Sequence, residues 1–251
     1  MRYAILSDLH SNFEALSAVL DHLAAERIDR YLCLGDLVGY GGDPEACLAR
    51  LGACDAVSVC GNHDWACTGK LDVQWFNDAA RRAILWTRDQ LGFGSLNALR
   101  RLPLVATEGP MTLVHGTLTN PERFEYLVDL AQAVDTVQAC QTPYCLVGHT
   151  HLPFVFEYDQ KRARMSRLLM RPEELHDIRL ADDHEGIRYV VNPGSVGQPR
   201  DGDPRASCAV LDTEAGTVSF HRIAYDVAEA QRKIREAGLP DFLAERLALG
   251  R

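Results

Sequence analysis

Short apolar runs that end in glycine or a polar cluster alternate with stretches of helical spacing through the first part of the chain. Tyr3 to Leu6 reads as a strand, and Arg30 to Leu34 and Ala56 to Cys60 repeat the pattern. Between the first two, Phe13, Leu16, Val19, Leu20 and Leu23 recur at helical spacing, with Asn12 suited to cap a helix running towards Glu26. Pro44 to Leu51 reads as a short helix, since proline fits a first turn. The alternation predicts a layered α/β fold with parallel strand pairs. Helices are predicted over Val73 to Leu91, Leu96 to Leu102 and Leu127 to Ala139. Strands are predicted over Met111 to His115, Tyr144 to Val147, Phe154 to Tyr158, Tyr189 to Asn192, Ser207 to Leu211 and Thr217 to His221. Residues 159–188 break the rhythm, with charged runs at Lys161 to Arg164 and Ala181 to Glu185 around an apolar Leu168 to Met170. They predict a hairpin or exposed excursion inside one domain spanning residues 1–251. An amphipathic segment, Val227 to Leu249, is interrupted at Gly238-Leu239-Pro240.

The composition fits a packed globular chain. Of 251 residues, 47% are hydrophobic and 24% charged, enough apolar material to offset the entropy of ordering. The 26 basic and 35 acidic side chains leave a net charge of −9. That balance argues against a broad grip on nucleic acid, which needs a basic stripe. No apolar run is long enough to cross a membrane. The opening Met1-Arg2-Tyr3-Ala4-Ile5-Leu6-Ser7-Asp8 lacks the pattern of a signal peptide, so a cytoplasmic location is expected. In that setting the eight cysteines, with no CxxC pair, are expected to be reduced structural thiols.

Chemistry gathers where predicted strands end. Asp8 and His10 follow the first strand. Asp36 follows the second, inside the Gly-rich Gly35 to Gly42. Gly61-Asn62-His63-Asp64 follows the third, His115 ends the Met111 run, and Gly148-His149-Thr150-His151 ends the Tyr144 run. Loops beyond strand C-termini are where α/β folds build their sites. Singly, each cluster could be turn chemistry or a satisfied histidine. Together, Asp8, His10, Asp36, Asn62, His115, His149 and His151 form a mixed oxygen and nitrogen donor set. It suits divalent transition metals (Mn, Fe, Zn, Co or Ni) better than Ca2+ or Mg2+. Seven donors exceed what one ion takes from a protein, so two metals are expected. Paired metals are suited to phosphoryl displacement.

Taken in order, the blocks resemble the calcineurin-like metallophosphoesterase family, whose pattern runs DxH, GDxxxxG, GNH(D/E), a lone H and GHxH. The later Asn192-Pro193-Gly194-Ser195-Val196-Gly197 is similar to the segment closing the core in its small bacterial and archaeal members. The resemblance implies a four-layer α-β-β-α sandwich of two mixed sheets. It also implies that Asp8, His10 and His151 hold one metal, that Asn62, His115 and His149 hold the other, and that Asp36 bridges them. His63 would then sit beside the phosphoryl group. The implied reaction is hydrolysis of a phosphate ester by direct attack of a metal-bridging hydroxide. The substrate is expected to be a small phosphodiester or nucleotide.

Departures from the protein phosphatase branch bear on the alternatives, a phosphomonoesterase or protein phosphatase and a non-catalytic scaffold. The aspartate that orients the histidine in that branch is Gly39 here, and Asp64 is the candidate to replace it. The phosphate-binding arginine before the GNH block is Cys60. Arg200, Arg205 and Tyr40 are expected substrate contacts, because guanidinium matches phosphate geometry.

Overall fold

The computed structural model describes residues 1–168, 177–180 and 186–251. In chain order the first elements are β1 (Arg2–Leu6), α1 (Phe13–Leu23), β2 (Arg30–Cys33), α2 (Pro44–Gly52), β3 (Val57–Ser58) and α3 (Asn62–Cys67). Then come α4 (Asp78–Gln90), α5 (Phe93–Arg101), β4 (Val105–Glu108), β5 (Met111–Val114), α6 (Leu130–Ala139) and β6 (Tyr144–Leu146). The remainder comprises β7 (Pro153–Asp159), β8 (Arg164–Leu168), β9 (Asp177–Arg179), β10 (Ile187–Pro193), β11 (Ala206–Asp212), β12 (Thr217–Ile223), α7 (Val227–Glu236) and α8 (Asp241–Glu245).

These strands form two mixed sheets of six. The first has the order β3-β2-β1-β11-β12-β9 and the second β4-β5-β6-β10-β7-β8. Parallel pairs occupy one side of the first sheet (β3, β2 and β1) and the middle of the second (β5, β6 and β10).

Strand alternation divides the core into layers. Tyr3 and Ile5 of β1 point into an inter-sheet core with Leu32, Leu113, Leu146, Tyr189 and Val191. Ala4 and Leu6 point the other way, onto Leu16, Val19, Leu20 and Leu23 of α1. Val190 and Cys145 of the second sheet face Ala133 and Val137 of α6. The result is the four-layer α-β-β-α sandwich. Each fully buried leucine or isoleucine in these layers contributes roughly 1.5–3 kcal/mol.

Local chemistry explains where the helices start. The Asn12 side chain accepts from Ala15 N at 3.1 Å, and α1 stops at Leu23, short of Glu26. The predicted helix over residues 73–91 is divided. A 3-10 turn, Val73–Trp75, comes first, and α4 begins only at Asp78 because the extended Asn77 caps Ala80 N. Asn62–Cys67, where the periodicity predicts no helix, is a helix whose Asp64 side chain bonds back to Gly61 N. Strand β4 has no counterpart in the periodicity reading.

In the 159–188 segment, β8 pairs antiparallel with β7, as a hairpin in the second sheet. Strand β9 instead joins β12 in the first. The Ala181 to Glu185 charge run and most of the Leu168 to Met170 run lie outside the described residues. All eight cysteines are unpaired. Among the described residues no helix is long and apolar enough to cross a membrane.

Candidate metal centre

The C-terminal ends of β1, β2, β3, β5 and β6 converge, and their loops carry the seven candidate donors. Asp8, His10, Asp36, His149 and His151 all have positive φ, between 47° and 66°. Such left-handed backbone is uncommon for non-glycine residues and persists only where the surroundings enforce it. Here the surroundings are other loops of the same site. Asp8 N donates to Gly35 O, His10 N to Asp36 O and Gly197 N to Asp8 O, each at 2.9–3.0 Å. His149 N donates to Asp8 Oδ2 at 3.1 Å.

The side chains fall into two adjoining groups, Asp8, His10 and His151, and Asp36, His115 and His149, and His63 comes close enough to His10 and Asp36 to make a third. His151 Nε2 is 3.2 Å from Asp8 Oδ1 and 3.2 Å from His10 Nε2. His115 Nε2 is 3.1 Å from His149 Nδ1 and 3.2 Å from Asn62 Oδ1. Asp36 Oδ2 lies between the groups, 3.6 Å from His10 Nε2 and 3.4 Å from His115 Nε2. Its other oxygen accepts from His63 N at 2.9 Å.

Three of the rings turn their second nitrogen to a backbone carbonyl: His10 Nδ1 to Val38 O, His115 Nδ1 to Leu34 O and His151 Nδ1 to Gln198 O. An N–H at each Nδ1 leaves Nε2 as a bare lone pair aimed inward, the arrangement that outer partners impose on metal-ligating histidines. Asp8 Oδ1 is buried and accepts no hydrogen bond, although His151 Nε2 is close. Acceptors gathered without donors are what a cation would satisfy. Burial opposes ionised Asp8 and Asp36. In their protonated form the facing imidazoles overcome it, with His151 foremost for Asp8 and His115 for Asp36, and hold both carboxyls well below the usual range.

His63 lies at the wall of the centre. Its ring meets Tyr40 (centroids 4.4 Å apart), His10 (4.9 Å) and Phe76 (5.1 Å). Its Nδ1 is buried without a hydrogen-bond partner. Burial, with the positive charge of Arg200 adding to it, pulls its pKa down to about 4 against the attraction of Asp36.

Asp64 does not orient this ring. Its oxygens take the amides of Leu37 and Val38 (3.0 and 3.2 Å) and of Gly61 (2.9 Å), tying the Asp36 loop to α3. Gly39 explains why no acidic partner stands there. Its φ is +96°, and a Cβ at this position would lie 2.5 Å from His63 Nδ1.

A cavity of about 260 Å3 opens over Asp36, Asn62, His63, His149 and His151. Tyr40 and Arg200 line it. Arg205 does not, because Asp203 takes its guanidinium through Nε and Nη2. Cys60 is buried and its thiol faces Gly61 O. The rest of the wall comes from residues 71–80 and 123–126, which carry Trp75, Phe76, Arg123, Phe124 and Tyr126. The sequence points to the loops at 65–77 and 117–126 as shaping the pocket but singles out none of these contacts, since aromatic residues in irregular loops have no periodic signature. Asn192 was missed as a positioning residue. Its amide donates to Gly148 O at 2.8 Å and Thr150 Oγ1 at 3.1 Å, bracing the loop that holds His149 and His151.

The profile of the calcineurin-like phosphoesterase superfamily domain matches residues 1–216. The chain belongs to the calcineurin-like phosphoesterase superfamily. It is 38% identical to an uncharacterised protein of Methanocaldococcus jannaschii over 99% of this chain and 98% of that one. A metallophosphoesterase of Sphaerobacter thermophilus superposes with a TM-score of 0.86 at 42% identity, covering 100% of both chains. A hypothetical protein of Pyrococcus horikoshii superposes with a TM-score of 0.78 at 21% identity, covering 100% of this chain and 98% of that one, and shares the fold. Members of this superfamily bind divalent metals, and the His/Asp groups of this phosphoesterase fit such ions.

Proposed function

We propose that the protein hydrolyses a small phosphodiester, of nucleotide type, with the help of two divalent transition metals. The observation that carries this reading is the convergence of seven donors from both sheets, four of which, Asp36, Asn62, His149 and His151, line one cavity. Asp8, His10 and His151 would hold one metal and Asn62, His115 and His149 the other. The position of Asp36 Oδ2 between His10 and His115 supports its sharing by both. When bound, such ions neutralise phosphoryl oxygens and lower the pKa of water towards neutrality.

The chain's own groups would do the rest. His63, with Nδ1 against Gly39, would present the opposite edge of its ring to the cavity and place an N–H on a phosphoryl or leaving-group oxygen. Arg200 has a buried Nε without a partner and an Nη2 held by Gln198 Oε1 at 2.9 Å, so it is steadied to meet an anionic oxygen. Tyr40 packs on His10 and His63 and would fix their orientation.

The test is turnover of bis-p-nitrophenyl phosphate and p-nitrophenyl phosphate by protein reconstituted with Mn2+, Fe2+, Zn2+, Co2+ or Ni2+. The diester should be cleaved. Silence on both esters with every metal would sink the reading, and turnover of the monoester alone would reassign it as a phosphomonoesterase. Chelation should abolish activity and lower the melting temperature by roughly 5–10 °C, with recovery on adding Mn2+. Calorimetry with and without EDTA measures it.

The nucleotide preference rests on the cavity mouth. Five of the fifteen lining residues are aromatic, against 8% of the chain, so the wall is specialised rather than average. Trp75 is 84% exposed there, an unusual position for the largest apolar side chain. Exposed Tyr126 stacks on His149 at 4.0 Å, and Arg123, paired with Glu125 at 3.5 Å, lines the same cavity. Tryptophan, tyrosine and arginine are the side chains that stack on bases, at roughly 1–3 kcal/mol per base. Trp75→Ala should therefore raise KM for a nucleoside phosphodiester about tenfold and leave kcat within about twofold. Steady-state kinetics against a methyl ester with the same leaving group check it. An equal loss on both esters would count against base stacking.

A further inference from the structure

Apart from the metal centre, a second set of donors meets on the helix-facing side of the first sheet. His22 lies in the last turn of α1, Glu26 follows four residues later, and His221 is in β12. His22 Nε2 and His221 Nδ1 are 3.0 Å apart, with ring centroids 5.0 Å apart and planes inclined by 62°. A carboxylate oxygen of Glu26 joins them, and the three donor atoms lie within 4.8 Å of one another. Strand alternation accounts for His221. Its neighbour Phe220 packs into the inter-sheet core, so His221 faces α1. Arg2 Nη2 holds Glu26 Oε2 at 2.7 Å and steadies that carboxylate.

We infer that His22, Glu26 and His221 form a separate site for one transition-metal cation of the Zn2+ or Ni2+ type. Two imidazoles and one carboxylate make a zinc-type ligand set. Nitrogens bound about 2.0–2.1 Å from a tetrahedral ion stand about 3.3 Å apart, close to the 3.0 Å between these rings. The two ring-nitrogen pairs of the metal centre, His10 with His151 and His115 with His149, have nearly the same spacing, 3.2 and 3.1 Å. A hydrogen bond between the rings would account for that spacing alone. The approach of an anionic carboxylate and the carbonyl end of α1 both favour a cation as well. His22 is exposed, which gives the ion access and leaves room for water as a further ligand. The ion would clamp the end of α1 to β12. This helix starts three residues after His10, so the clamp would steady the helix that leaves the metal centre.

The experiment is Zn2+ equilibrium dialysis of the full chain, with stoichiometry read by elemental analysis. Wild-type protein should bind one more Zn2+ per chain than the His22→Ala/His221→Ala double variant. Glu26→Gln should weaken that extra equivalent roughly tenfold or more. Asp36→Asn, at the other centre, should retain it. Thermal melts give an independent readout, since Zn2+ should raise the midpoint of Asp36→Asn more than that of a triple variant also lacking both surface histidines. Equal stoichiometry in wild type and double variant overturns the site and leaves a hydrogen-bonded histidine pair. So does an extra equivalent that Asp36→Asn removes.

Discussion

Asp36→Asn is expected to lose most of the bound metal and at least about 1000-fold in kcat/KM, with the fold retained. The amide keeps the size of the side chain and can still accept from His63 N at Oδ1. It replaces the oxygen that faces His10 and His115 with an N–H2 group. Donor hydrogens directed at two inward-facing Nε2 lone pairs repel a cation rather than hold one. His63→Ala should behave differently. In the proposed reading it loses about 100- to 10,000-fold in kcat while its metal content stays close to wild type, because His63 contributes no donor to either group in that reading. Elemental analysis beside steady-state kinetics on both variants decides the matter. Equal metal loss in the two would reverse the assignment of roles.

Gly39→Ala is the second large effect. The new methyl carbon would arrive 2.5 Å from His63 Nδ1, on a backbone already at φ +96°. The imidazole has no easy retreat, since Tyr40, His10 and Phe76 surround it. Strain of this kind costs on the order of 1–3 kcal/mol. Activity should fall to nearly the level of His63→Ala, with metal content less affected than in Asp36→Asn. Denaturation midpoints and metal analysis separate the two causes. A Gly39→Ala protein with wild-type kcat would show that the His63 position does not matter to the reaction.

The donors were legible because metal chemistry restricts residue type and because each cluster ends a short apolar run. Asp8, His10, Asp36, Asn62, His115, His149 and His151 could be picked out with no knowledge of distances, and the structure gathers them. The two-sheet, four-layer architecture came from the family resemblance and not from periodicity, which yields only strand–helix alternation. Asp64 was misread as the orienting partner of His63 because adjacency in sequence says nothing of direction. Its helix turns the carboxylate back onto the amides of residues 37, 38 and 61. Arg205 was misread for a related reason: a loop rich in Asp and Arg leaves open which arginines are already paired. Arg205 is taken by Asp203, whereas Arg200 reaches the cavity. The individual residues of the aromatic mouth could not be picked out because they come from two irregular loops far apart in the chain, whose sequence carries no periodic code.

Leu34, Val38 and Gln198 anchor three of the metal-centre imidazoles through main-chain oxygens. No side-chain replacement at those three positions deletes the anchoring atoms, so many substitutions there should leave ring tautomers intact. What could dislodge them is a change in the path of the chain, such as an inserted residue or a proline that redirects a carbonyl. Metal affinity in this protein should therefore tolerate point changes behind the rings and respond sharply to altered loop length.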